Sequence, residues 1–133
     1  MRAWTFLMLG WLTAALFACG GPQIEPGSPY VPITSLEQIV GKWEGLSKRM
    51  PEMRNHAEAL LTISKTGHFN FVSDRGTGLL LGTGSLTLAD GRALGTSSGG
   101  TGTLTLYEKA GRQILVVEAA LNDGYHYYIE MTK

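Results

Sequence analysis

Residues 79–88 read Leu-Leu-Leu-Gly-Thr-Gly-Ser-Leu-Thr-Leu and are followed at 89–91 by Ala-Asp-Gly. Leu80, Gly82, Gly84, Leu86 and Leu88 fall on one face and Thr83, Ser85 and Thr87 on the other, which is the two-residue period of a strand with one buried side. The leucine face belongs to a core, and its glycines let the sheet bend or a large ring approach. Gly91 supplies the positive φ for a tight reversal. The pattern recurs: Phe69 and Phe71 oppose His68 and Asn70, and Leu104 and Leu106 oppose Thr103 and Thr105.

Runs between turn residues predict strands at 41–48, 57–64, 68–73, 79–88, 92–97, 103–107, 113–121 and 125–132. No substantial helix is expected. Ser35 and Gln38 have capping-box spacing and open one short helical turn before the first strand. Connections are short, so sequence neighbours pair antiparallel and the fold class is all-β: a small up-and-down meander barrel of about eight strands. Its loops sort by end. Those at 65–67, 89–91 and 109–111 are tight and finish in glycine; those at 49–56, 74–78, 98–102 and 122–124 are mostly longer and more varied.

Before the barrel stands a different kind of sequence. Residues 1–18 carry Arg2, then an apolar run, then small residues ahead of Cys19, the order of an export signal. The run is short of the roughly 20 apolar residues that cross a bilayer comfortably. Leu16-Phe17-Ala18-Cys19 resembles the lipobox of bacterial lipoproteins, with Leu16, Ala18 and Cys19 matching and Phe17 departing from the small residue usual there. The resemblance implies cleavage before Cys19, diacylglycerol on its sulfur and an acylated amine. Gly20 follows where the family uses Asp for inner-membrane retention, which implies an outer-membrane lipoprotein with its domain in the periplasm or at the cell surface. Residues 19–34 then contain Pro22, Pro26, Pro29 and Pro32. They are expected to form a semi-rigid tether reaching roughly 45 Å at about 3.1 Å per residue. The domain proper is expected over 35–133.

The capped turn running into Gly41-Lys42-Trp43, followed by about eight strands, resembles the lipocalin and wider calycin barrels, whose first strand carries Gly-x-Trp at the closed end. That resemblance implies a barrel whose open end binds a small hydrophobic or amphipathic ligand. At about 95 residues with short strands, a filled interior is the expectation.

Candidate ligand-binding residues are Trp43, Arg49, Met50, Met53, Arg54, Tyr125 and Tyr127. Trp43 is either a pocket wall or a floor plug over Gly82 or Gly84, the plug being favoured. Lys48, Arg49 and Arg54 with Met50 and Met53 make a loop that is either a lid over an anionic, amphipathic ligand or a solvated connection. Tyr125 and Tyr127 share a face near the mouth with Ile129 and Met131. Met50, Met53 and His56 are thioether and imidazole donors at three-residue spacing, too few to specify a metal. Glu118 in Ile-Leu-Val-Val-Glu-Ala-Ala-Leu (114–121) points outward if Leu115, Val117, Ala119 and Leu121 face the core, leaving Ile114 and Val116 as an outer apolar stripe.

Several function classes are excluded. Removing the residues before Cys19 takes away only Arg2, leaving 10 basic against 11 acidic groups, which offers nucleic acid no footing. There is no nucleophile elbow, phosphate loop or spaced acid–base set, and the one thiol is assigned to lipid. No enzyme and no cofactor are expected. The expected partners are the membrane, through the anchor, and a small hydrophobic ligand at the open end. The alternative is a filled barrel that acts as a structural or protein-interaction module, an envelope component or an enzyme inhibitor.

Overall fold

A computed structural model describes residues 24–73 and 82–133, the side chains of 54–56 excepted. The leader, Cys19 and its flanks, the 74–78 loop and Leu79 to Leu81 lie outside the described residues.

Eight strands form a closed antiparallel meander: β1 (Gly41–Arg49), β2 (Arg54–Ile63), β3 (His68–Ser73), β4 (Gly82–Ala89), β5 (Arg92–Ser97), β6 (Gly100–Lys109), β7 (Arg112–Leu121) and β8 (His126–Thr132), with β8 closing on β1. This is the expected fold class, and β6 extends beyond the expected 103–107 at both ends. Among the described residues the one helical element is a 3₁₀ turn at Leu36–Gln38, with the Ser35–Gln38 capping box in place.

Period-two burial selects the inner face. Phe69 and Phe71 point in while His68 and Asn70 are exposed, and Leu115, Val117 and Ala119 are buried while Glu118 is exposed. One inward leucine fails: Leu88, next to the end of β4, stays 37% exposed. The tight turns are at the expected end. Asp90-Gly91 (φ 53° and 75°) and Ala110-Gly111 (φ 53° and 75°) each place two residues in the left-handed region, as a type I′ hairpin requires.

The expected tether is docked from Ile24 onward. Glu25-Pro26-Gly27-Ser28 makes a turn, with the Ser28 amide donating to the Glu25 carbonyl at 3.1 Å and Gly27 at φ 82°. Beyond it the amide of Val31 donates to Leu106 O (2.7 Å) and that of Ile33 to Gly91 O (2.8 Å). Ile33 is 2% exposed within the core cluster. Gln38 fixes this strap: its Oε1 accepts from the Thr34 and Ser35 amides and its Nε2 donates to Pro32 O. At the strap's start, the Ile24 amide donates to Glu130 Oε2 (2.8 Å) on the outer wall of β8. Ile114 and Val116, expected as an exposed outer stripe, are 2% and 4% exposed, and Val116 is the ladder partner of Glu130. Proline spacing announced an extended segment; it did not announce that Val31 and Ile33 would find carbonyls on the barrel.

Candidate functional site

The described connections at 50–53 and 122–125 lie at the end opposite the tight turns, together with Ser98-Gly99, where the loop expected at 98–102 is shortened to a two-residue turn by the early start of β6. Arg49 ends β1 across the ladder from Tyr127, so both side chains share the inner face at the mouth. Tyr127 is 4% exposed and roofs the core. Arg49 is half-buried, and its guanidinium lies 4.9 Å from the centre of the Tyr125 ring. Met50 and Tyr125 are the exposed apolar groups of this rim, at 42% and 48%.

The electrostatics follow from the packing. The Tyr127 phenol is pushed above its ordinary value, first by burial and then by the Asp123 carboxylate, with Arg49 pulling the other way.

Hydrogen bonds fasten the rim loops to one another. The Met50 amide donates to His126 O (2.9 Å) and the Met53 amide to Arg49 O (2.9 Å). Asn122 donates through its amide nitrogen to Gly99 O (3.0 Å) and through Nδ2 to Ser98 O (2.6 Å). Asp123 Oδ1 accepts from the Tyr125 amide (2.9 Å), an Asx turn that sets the ring of Tyr125. Asn122 and Asp123 had only turn propensity as a sequence signal, because bonding between loops depends on which loops the barrel makes neighbours.

Of the residues singled out from sequence, Arg49, Met50, Tyr125 and Tyr127 converge at this mouth. Met53 is half-buried in the same loop at φ 55°. Arg54 pairs through its backbone with Arg49, and its side chain, like that of His56, is outside the description. Trp43 is elsewhere. It is fully buried near the closed end, its Nε1 donates to Ile39 O at 2.8 Å, and Lys133 Nζ sits 4.9 Å from its ring. Six residue steps along β1 separate it from Arg49, about 20 Å at ~3.3 Å each. The ring that lies against Gly84 of β4 is that of Phe69, its ladder partner, rather than Trp43.

Between floor and mouth the described residues of the barrel are packed. A void bounded by Leu61, Phe69, Phe71, Leu86, Gly95, Gly102, Leu104 and Val117 measures about 10 Å³. That is about the smallest space that holds one water. A groove of about 600 Å³ lies on the outer wall of β1 to β3, where Glu44 and Glu58 flank Leu46, Leu60 and Val72. Its carboxylates do not suit an anionic lipid. Ser47, buried inside, is satisfied at the bulge between Ser47 and Lys48, where its hydroxyl donates to Ala57 O (2.9 Å) and accepts from the Ala57 amide (3.2 Å).

No protein-family model, no curated protein and no solved structure matches the chain.

Proposed function

We propose that this chain is a lipid-anchored envelope protein whose small lipocalin-like barrel is a packed interaction module, presenting the Arg49–Met50–Tyr125 rim to another envelope protein and carrying no cargo inside. One observation supports this above the rest: among the described residues, the void between Phe69, Phe71, Leu104 and Val117 measures only about 10 Å³. Pockets that bury a small ligand run to ~300–1,000 Å³. A carrier with this sequence would have to part Phe69 and Phe71 from Leu104 and Val117, opening most of its core.

The rim has the composition of a contact surface. Tyrosine, arginine and methionine are over-represented where protein interfaces are buried, and the staples through Asn122 and His126 lower the ordering cost of binding. The reading takes its anchor from the lipobox of Leu16, Ala18 and Cys19, and its outer-membrane location from Gly20. It includes no catalytic step.

A photoreactive residue at position 125 or 50 tests it in cells. A discrete protein adduct from the rim positions, and none from position 94 on the outer wall, is the expected result. Adducts of lipid mass alone at the rim would return the assignment to a small amphipathic ligand at the mouth.

A further inference from the structure

We infer that the lipid anchor holds the barrel by its β8–β1 wall, so that this wall faces the bilayer and the opposite wall, β4–β5, faces water. The inference rests on the proposed lipidation of Cys19. Its own evidence is the point at which the chain meets the barrel.

Ile24 is fastened to Glu130, whose ladder partner on β1 is Leu46. The strap then runs to Leu106 on β6 and to the β4–β5 turn, held by the bonds of Val31 and Ile33 and by burial of Ile33. Five residue steps separate Cys19 from Ile24. They span at most about 18 Å at ~3.6 Å each. That is well under half the reach of a tether free to Thr34.

Eight strands ~4.8 Å apart and tilted by ~40° make a cylinder about 25 Å across with its side chains. An 18 Å leash fixed to the β8 wall is therefore too short for the β5 wall to meet the lipid. Glu44, Glu58 and Glu130 surround Leu46, so the leash, and not charge attraction, sets the facing.

Two exposed leucines report on it. Leu46 is outward on β1 and 37% exposed, and Leu94 is outward on β5 and 41% exposed, four strands away around the barrel. The full lipidated chain carrying Leu46→Cys or Leu94→Cys accepts a thiol-reactive fluorophore at that position alone, since Cys19 is acylated. In phosphatidylcholine vesicles with nitroxide on the headgroups, quenching should be stronger at 46 than at 94 by about twofold or more, given the leash length. A Gly/Ser insertion of ~10 residues ahead of Ile24 should remove the difference. Equal quenching at the two positions, or more at 94, in protein that sediments with the vesicles overturns the inference and leaves the anchor standing. If Cys19→Ser protein sediments with vesicles as fully as the unaltered chain, the anchor is wrong and the inference falls with it.

Discussion

Phe69 lies across the ladder from Gly84, and its ring fills the space a side chain at 84 would need: an added Cβ would come within 2.7 Å of Phe69 Cζ and would also meet the Thr96 carbonyl. Gly95 borders the same ring, with its would-be Cβ 3.2 Å from Phe69 Cε1. The pair of glycines in β4 and β5 is the seat of an aromatic ring, which fills the middle of this small barrel.

Gly84→Ala should therefore cost about 3 kcal/mol, the upper part of the range for overpacking. Urea unfolding followed by circular dichroism measures it. A cost below about 1 kcal/mol would mean that Phe69 moves aside freely and that the core is looser than described.

The two I′ turns differ at their first residue. Asp90 tolerates the left-handed region through its side chain, whereas Ala110 at φ 53° carries its steric penalty uncompensated. Ala110→Asn should stabilise the domain by about 1 kcal/mol, raising the thermal midpoint without altering the spectrum.

The strap belongs to the folded unit. Ile33→Ala should destabilise by about 3 kcal/mol, as for other buried isoleucines, and a chain begun at Ser35 should lose more, since the amide bonds of Val31 and Ile33 go as well. Unfolding midpoints of the three forms, compared at one pH, decide the point. A chain begun at Ser35 that matched the longer one in stability would return residues 24–34 to the role of tether.

Alkaline stability follows from Tyr128. Burial, then the neighbouring Glu130, Tyr107 and Glu118, and a hydrogen bond to Glu130 all raise its phenol above the ordinary 10.0. In the unfolded chain the phenol loses its proton from about pH 10, while the folded protein still holds it, so stability should fall as pH rises through and beyond that value. Unfolding midpoints measured from pH 8 to 11 should show the fall, and Tyr128→Phe should lessen it. Tyr127 is raised by burial and Asp123, so part of the fall should remain.

Much of this architecture was legible in the sequence, and for a plain reason. Alternation such as that around Phe69 and Phe71, and glycine-ended turns such as 109–111, are local signals, and a meander pairs sequence neighbours at every ladder except the closing one between β8 and β1. What escaped depends on contacts between distant segments. Ile33 looked like part of a proline tether because its carbonyl partner, Gly91, is far along the chain. Trp43 was the ring expected over Gly82 or Gly84, and only the register of β3 against β4 shows that Phe69 takes the place over Gly84. Ile114 and Val116 read as an open stripe because alternation within β7 does not carry the burial that the structure gives them. At the mouth, composition picked out Arg49, Met50, Tyr125 and Tyr127, while the bonds of Asn122 and Asp123 that fasten it needed the fold.

The central claim, a barrel packed through its middle, is tested most directly by titrating the soluble chain from Gly20 to Lys133 with fatty acids, lysophospholipid and apolar dyes while following Trp43 emission and binding heat. Trp43 is the one tryptophan after the leader and sits against the core. A packed barrel gives blue-shifted emission that no ligand changes, and no saturable heat. Saturable binding at one ligand per barrel, with a shift in Trp43 emission, would contradict it.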